Sequence, residues 1–275
     1  MFRLMQPADM PTLKKLWSKA FGDGEEQAEA MILRFAGEKN TYVAEEDGAV
    51  VGMLLAAPAR IGERRGAYLC GITTQREYRR RGLATGLINF AGEQLAQRGA
   101  CFAALVPASR ELFSFYEKMG FVRGFARRNV QRPIKRNIWS QAEFDSAPAK
   151  RLCDLRVKYC PDIVQLSTDA MVQELTELYS RGITVVSAED GYGLYFREGE
   201  TLHFVELMAE GDRAAERLME AAREREVIVD NANVTVNAGQ NLFLGEGTRE
   251  DHGMIRFFGE AFDISESYLG LALDV

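Results

Sequence analysis

The residues with the clearest chemical potential form a basic turn, Arg79-Arg80-Arg81-Gly82, directly before a segment with helical periodicity. A helix that begins here leaves its first backbone N–H groups without partners, and its dipole places partial positive charge at that end. Gly82 has no Cβ, so the backbone can approach a phosphate closely, while the arginines add full positive charges. The turn therefore predicts an anion site. Taken alone, these residue types also fit a solvated arginine cluster at a helix start.

The segments around this turn predict the elements that position it. An apolar, β-prone run at 67–74 precedes the turn, and apolar residues recur after it at helical spacing from Leu83 to Leu95. The run at 101–106 lacks alternation, which is typical of a strand buried on both faces. We therefore expect it to pair in parallel with the strand before the helix. A short helix and two closing strands are predicted at 110–119, 121–125 and 129–131.

The start of the chain predicts two helices and a hairpin. Apolar residues at helical spacing indicate helices at 7–21 and 25–36. Two strand-like runs, 41–46 and 49–55, flank Asp47-Gly48, a dipeptide that tolerates positive φ.

Composition narrows the class of protein. The chain has 275 residues, of which 47% are hydrophobic, so a substantial core is expected, and its net charge of -6 argues against a general binder of nucleic acid or anionic membranes. Uncharged stretches reach about half of the roughly 20 residues that a membrane span requires. Pro7 and Asp9 interrupt the amino terminus before a signal-peptide core forms. We therefore expect a cytoplasmic protein without a membrane span.

The cysteines and histidines do not form a metal motif. The four cysteines show no Cys-x-x-Cys spacing and lie mostly in apolar settings, so we expect buried free thiols. With two histidines in the whole chain, no zinc site is predicted, and a glycine-lysine P-loop is absent from the sequence.

The second half of the chain repeats the pattern of the first. Weak periodicity after residue 135 places a linker at 136–155, between domains at 1–135 and 156–275. The segment 186–191 resembles 43–48. In the position of the basic turn, Glu210 and Asp212 replace the arginines, which would repel a pyrophosphate. A degenerate second copy is predicted; two unrelated α/β segments are the alternative.

Two motifs in the first half resemble those of the GNAT superfamily of acyl-CoA-dependent N-acetyltransferases. Arg79-x-x-Gly82-x-Ala84 is similar to the family's pyrophosphate loop, and Tyr116-Glu117-Lys118-Met119-Gly120-Phe121 is similar to a later family segment. The resemblance covers about residues 1–135 and implies an α+β fold with a central mixed, mostly antiparallel sheet flanked by helices. The whole chain resembles tandem GNAT proteins with a second, smaller GNAT-like domain, and distantly the enhanced intracellular survival acetyltransferases.

The resemblance also implies a set of residues that hold acetyl-CoA, the acyl donor. Backbone at the end of the strand before the basic turn would hold the pantetheine arm and thioester, and N–H groups of the turn would cradle the pyrophosphate. Ser109 stands where many members have an asparagine that contacts the cofactor. The expected cofactor-binding residues are Ile72, Thr73, Thr74, Arg79, Arg80, Arg81, Gly82, Leu83, Ala84, Thr85 and Ser109.

Tyr116 is the expected catalytic residue. Attack of an amine on the thioester expels a thiolate with a pKa near 8.5, and a positioned phenol can supply its proton. Without the motif, a core aromatic beside Phe113 and Phe115 is the favoured interpretation of Tyr116. The base that accepts the amine's proton is not identified by the sequence. Glu111, one turn earlier, and the carboxylate of Val275 are the candidates.

These features together predict an acyltransferase. The expected function is transfer of an acetyl group from acetyl-CoA to an amine of a small molecule or peptide. A non-catalytic acyl-CoA sensor or a protein-interaction module is the alternative, whereas nucleic-acid binding through the arginines fits the acidic chain poorly. The acceptor and the oligomeric state are left open.

Overall fold

The computed structural model describes residues 1–136 and 141–270, and its elements follow the predicted order of helices and strands. The strands are β1 Phe2–Leu4, β2 Thr41–Glu46, β3 Ala49–Ile61, β4 Arg64–Thr74, β5 Phe102–Leu105, β6 Val122–Pro133, β7 Glu143–Phe144, β8 Gln165–Leu166, β9 Thr184–Ala188, β10 Gly191–Glu198, β11 Thr201–Ala209, β12 Asn231–Asn237 and β13 Thr248–Phe257. The helices are α1 Met10–Phe21, α2 Glu25–Ala30, α3 Leu83–Gln97, α4 Arg110–Glu117, α5 Ala149–Tyr159, α6 Thr168–Ser180 and α7 Asp212–Glu226.

Several elements differ in detail from the predicted ones. A 3-10 turn, Pro7–Asp9, precedes α1, and the second helix changes to π geometry over Met31–Ala36. Residues 121–125 and 129–131 do not form two strands, because β6 runs without interruption from Val122 to Pro133. The predicted linker at 136–155 contains the first turns of α5, whose apolar residues Leu152 and Leu155 are buried.

The chain divides into two compact units that are not contiguous in sequence. Unit 1 contains residues 1–123, 169–173 and 254–262, and unit 2 contains 124–168, 174–253 and 263–275. The boundaries 1–135 and 156–275 therefore differ from the structural units, and the second unit is not smaller, since the two have nearly equal length. The difference has a physical cause: most of β6 and the end of β13 pair with strands far away in sequence, which local patterns do not encode.

Unit 1 is built on a mixed, mostly antiparallel sheet, as predicted. Its strand order is β1, β2, β3, β4, β5 and the last four residues of β13, and the β4–β5 pair is parallel, as expected from the apolar run at 101–106. The amphipathic helix α3 buries Leu83, Leu87, Ala91 and Leu95 against one face of this sheet. Burial of each large side chain contributes roughly 1.5–3 kcal/mol, which fixes the helix on the strands.

Unit 2 has a similar element order. Helices α5 and α6 precede the β9–β10 hairpin, and β11, α7 and β12 follow. Strands β11 and β12 are parallel, whereas β12 is antiparallel to β6 and β10 is antiparallel to both its neighbours. A core of aliphatic and aromatic residues packs around α7.

Two further expectations concern the cysteines and membrane-spanning helices. The four cysteines are free thiols; Cys70, Cys153 and Cys160 are buried and Cys101 is half-buried. Among the described residues, helices are too short or too polar to cross a membrane.

Candidate functional site

A β-bulge interrupts β4 just before the basic turn. Pairing between β3 and β4 shifts register, because Met53 faces Thr73 whereas Leu55 faces Cys70. The extra residue falls at Gly71 and Ile72, and Gly71 has a φ of 60°, in the left-handed region. A Cβ at Gly71 would lie 2.6 Å from Cζ3 of Trp17, so the indole on α1 packs directly on the bulge. The bulge re-aims the end of β4 relative to its neighbours.

Strands β4 and β5 separate close to this bulge. Their parallel pairing covers Gly66–Tyr68 against Phe102–Ala104 and does not continue along the described part of β4 beyond Tyr68. Ile72, Thr73 and Thr74 remain half-buried at the end of β4. Backbone groups on this edge of β4 are therefore available to an extended ligand in the manner of an added strand.

The basic turn has the backbone geometry of an anion cradle. Arg80 has a φ of 64° and Gly82 a φ of 80°, so two left-handed residues precede α3. Left-handed residues alternating with other conformations point successive N–H groups into one concavity. A non-glycine residue such as Arg80 is seldom left-handed, and this conformation is often found at functional sites.

The helix start leaves its donors free for a ligand. Gly82 is the N-cap of α3 and provides no side-chain cap. Leu83 is buried, while Ala84 and Thr85 are half-buried. The first-turn N–H groups thus keep their hydrogen-bonding capacity beside the positive end of the helix dipole.

Arginine side chains stabilise the turn through hydrogen bonds to backbone carbonyls. Arg79 donates from Nε to the Thr74 carbonyl at 3.0 Å, which ties the turn to β4. Arg81 donates to the Glu77 carbonyl at 3.2 Å and forms an ion pair with Glu46 at 3.5 Å. All three side chains are exposed, and they add positive charge around the cradle rather than at its floor.

Tyr116 is packed in the same core cluster as Leu83 and Ile72. Its ring makes edge-to-face contacts with Phe115, at a centroid distance of 5.2 Å, and with Phe121, at 5.8 Å. Burial raises the pKa of Tyr116 to about 12, so the phenol is protonated at neutral pH. Within the described residues, its hydroxyl makes no hydrogen bond. It is therefore a donor without an acceptor in the described part of the chain.

The remaining candidates lie at the start of α4 and at the chain end. Ser109 is the exposed N-cap of α4. A hydrogen bond from the Ser109 hydroxyl, together with local backbone N–H groups, lowers the pKa of the Glu111 carboxyl. A carboxylate with a lowered pKa is a weaker base, which disfavours Glu111 for that role. Val275 lies outside the described residues.

Sequence reasoning did not assign roles to three residues at this site. Gly71 forms the bulge, Trp17 packs on it, and Gln75 fixes the turn by bonding to the carbonyls of Val50 and Val51. An isolated glycine inside a strand pattern is a known signal of a bulge and could have revealed Gly71. Nothing local indicates its partner on α1.

The corresponding turn in unit 2 has different chemistry. Gly211 is extended there, with a φ of 175°, and α7 begins at Asp212. The Asp212 carboxylate accepts the backbone N–H of Phe243 at 2.8 Å. An acid thus stands at the positive end of α7, where an incoming phosphate would be repelled.

Comparisons with known proteins agree with this fold. A family model described as an acetyltransferase (GNAT) domain matches residues 1–124. A GCN5-related N-acetyltransferase from Kribbella flavida is similar in structure, with a TM-score of 0.71 and 17% identity over 94% of this chain and 72% of that one. A probable N-acyltransferase from Enterococcus faecalis V583 has a TM-score of 0.74 and 15% identity, with 94% and 72% covered.

A two-domain protein also has this fold. A tandem GNAT protein from the clavulanic acid biosynthesis pathway has a TM-score of 0.54 and 14% identity over 95% of this chain and 99% of that one. At these identities the likeness concerns the fold alone. No curated protein matches the chain by sequence.

Proposed function

We propose that this protein is an N-acetyltransferase that uses acetyl-CoA, because residues 1–124 match a family model described as an acetyltransferase (GNAT) domain. The observation that carries the proposal is a bulged strand end that leads directly into a turn with two left-handed residues, in a unit whose core cluster holds both Ile72 of that strand and the buried, protonated Tyr116 phenol. The acceptor is an amine of a small molecule or peptide.

The cofactor is proposed to lie along the end of β4. Backbone of Ile72, Thr73 and Thr74 holds the pantetheine arm and the thioester, and the N–H groups from Arg80 to Thr85 hold the pyrophosphate. The separation of β4 and β5 supports this placement, since the backbone edge of β4 beyond Tyr68 has no described pairing with β5. Ser109, at the exposed start of α4, is proposed to contact the cofactor beyond the arm.

The chemistry is direct attack by the amine nitrogen on the thioester carbonyl. The C–N bond forms, the C–S bond breaks and coenzyme A leaves as a thiolate. Tyr116 donates a hydrogen bond to the departing sulfur. Complete transfer from a phenol with a pKa of about 12 to a thiolate with a pKa near 8.5 is uphill by roughly 5 kcal/mol. The proton that the acceptor nitrogen releases through solvent balances the one that the thiol gains.

The test is thiol release from acetyl-CoA across a panel of primary amines, with Tyr116→Phe beside wild type. We expect kcat to fall roughly 100-fold, while the Kd for acetyl-CoA, measured by calorimetry, changes little, because phenylalanine preserves the ring contacts. Tyr42→Phe is the matched control: Tyr42 belongs to the same core cluster, and its buried hydroxyl has no partner among the described residues. It should leave kcat unchanged.

One outcome would contradict the enzyme, and another would contradict the role of Tyr116. Tight binding of acetyl-CoA with no turnover on any amine would favour the alternative, a non-catalytic acyl-CoA sensor or an interaction module. Equal kcat in Tyr116→Phe and Tyr42→Phe would remove Tyr116 from the chemistry.

A further inference from the structure

The indole of Trp17, on α1, packs on the bulge of β4 and is almost fully enclosed. Trp17 is 5% exposed. A Cβ built on Gly71 would lie 2.6 Å from Cζ3 of Trp17 and 3.2 Å from Cγ of Leu55, so two large side chains fill the space beside this glycine. The indole therefore contacts the residue of β4 that has a left-handed backbone, with a φ of 60°.

The bulge decides which backbone groups the end of β4 offers to a ligand. The register shift leaves Leu54 of β3 opposite both Gly71 and Ile72. Successive residues of a strand point their N–H and C=O groups to opposite edges, so one extra residue reverses this alternation beyond the bulge. If β4 returned to regular pairing, Ile72, Thr73 and Thr74 would each shift by one position. Backbone groups that now point away from β3 would then point towards it.

A hydrogen bond fixes the orientation of the indole. Trp17 Nε1 donates to Asp23 Oδ2 at 2.8 Å. The acceptor lies just beyond α1, which ends at Gly22 with a φ of 84°. The ring of Phe21 packs on the indole at a centroid distance of 4.6 Å. A hydrogen bond to a carboxylate is stronger than one between neutral groups, so the ring that contacts the bulge has one favoured orientation.

We propose that Trp17, oriented by Asp23, is a positioning residue for acetyl transfer. It stabilises the bulged register of β4 and thereby fixes the backbone of Ile72, which holds the thioester; this inference rests on the proposed function. The pyrophosphate is held by the separate turn before α3. Loss of the indole contact should therefore misplace the thioester more than it weakens cofactor binding, and small misplacements of a reacting group are costly for the rate.

The test measures kcat by thiol release at saturating acetyl-CoA, with the primary amine that wild type acetylates fastest. Asp23→Leu and Trp17→Phe should each lower kcat about tenfold, while the Kd for acetyl-CoA, measured by calorimetry, changes less than about threefold. Asp23→Asn keeps an oxygen acceptor for the indole N–H and should restore most of the wild-type kcat. This split between kcat and Kd is not expected from a loss of stability alone.

A double variant and a matched control separate positioning from general loosening of α1. Asp23→Leu and Trp17→Phe remove the same hydrogen bond, so the double variant should be no slower than the slower single variant. Glu29→Leu is the control, because Glu29 Oε2 accepts a hydrogen bond from Lys14 Nζ on α1 at 2.9 Å, not from the indole. It should leave kcat unchanged. Urea denaturation of each variant shows whether the protein is folded in the assay.

The possible failures are distinguishable. Wild-type kcat in both single variants would overturn the positioning role and leave the proposed function standing. Additive losses in the double variant would show that Asp23 does not act through Trp17, and an equal loss in Glu29→Leu would mean general loosening of α1. No turnover in the wild type would overturn the proposed function and this inference together. Because Asp23 is partly exposed, its variant remains decisive if Trp17→Phe fails to fold.

Discussion

Replacing Gly82 by alanine tests whether the backbone conformation of the basic turn is needed for anion binding. Gly82 has a φ of 80° and a ψ of 2°, and among the described residues no heavy atom lies within 4 Å of where its Cβ would be. The methyl group therefore meets no protein atom, and its cost is conformational. A left-handed conformation costs an L-residue roughly 1–2 kcal/mol.

This strain should appear as weaker cofactor binding. The variant turn lowers its free energy by moving to negative φ, which turns the N–H groups of Leu83 to Thr85 away from the pyrophosphate. Binding then has to restore the strained conformation. The apparent Kd for acetyl-CoA therefore rises by the inverse of the fraction of molecules that are in the binding-competent conformation. A difference of 1–2 kcal/mol corresponds to an increase of about 5- to 30-fold.

Gly99 provides the matched control. It follows α3 at its other end, has a φ of 83° and likewise has no described heavy atom within 4 Å of a built Cβ. Gly99→Ala should therefore destabilise the fold about as much as Gly82→Ala without changing cofactor affinity. Gly82→Asp adds a carboxylate, whose repulsion from each phosphate charge at about 5 Å is roughly 3 kcal/mol at an effective dielectric of 20. It should abolish binding and turnover.

The assay is calorimetric titration of acetyl-CoA into each variant, with urea denaturation for the free energy of unfolding. An unchanged Kd in Gly82→Ala would refute the role of this turn. Equal weakening in Gly99→Ala would show that global destabilisation, not the cradle, accounts for the effect.

Three further outcomes are expected. Gly71→Ala combines left-handed strain with overlap on Trp17, so urea denaturation should show a loss of roughly 2–4 kcal/mol, and no loss would contradict the packed bulge. Burial, with the nearby Arg127 charge, lowers the pKa of His252 to about 4. Between pH 6.5 and 4 the unfolded chain therefore binds more protons than the folded chain. The free energy of unfolding falls as the pH falls through that window. His252→Gln should remove up to roughly 3 kcal/mol of this pH dependence, as measured by denaturation at pH 7 and 4.5. Because the pKa of Tyr116 is about 12, kcat/KM for an alkylamine should rise as the ammonium deprotonates and show no descending limb below about pH 11.

Much of the first unit could be predicted because its determinants are local. The helical spacing after Gly82, the Asp47-Gly48 hairpin and the unbroken apolar run at 101–106 specify elements through side chains a few residues apart. The parallel β4–β5 pair follows from the strand–helix–strand order, and the structure confirms it. The GNAT fold and the mixed sheet are confirmed as well.

The domain boundaries and the bulge partner could not be predicted in the same way. Residues 254–262 complete unit 1, and β6 pairs with β12, through contacts between segments more than 90 residues apart. The start of α5 fell in the predicted linker because its short apolar face is interrupted by charged residues. The assigned cofactor residues and Tyr116 stay predictions.

The sequence by itself predicted an anion as the ligand of the basic turn, because a glycine and free N–H groups at a helix start are properties of one short segment. Tertiary structure decided the surroundings of that turn. The bulge at Gly71 packs on Trp17, the strands separate beyond Tyr68, and burial raises the pKa of Tyr116 to about 12. These features depend on which distant residues come into contact, and burial alone sets the electrostatic environment of a titratable group.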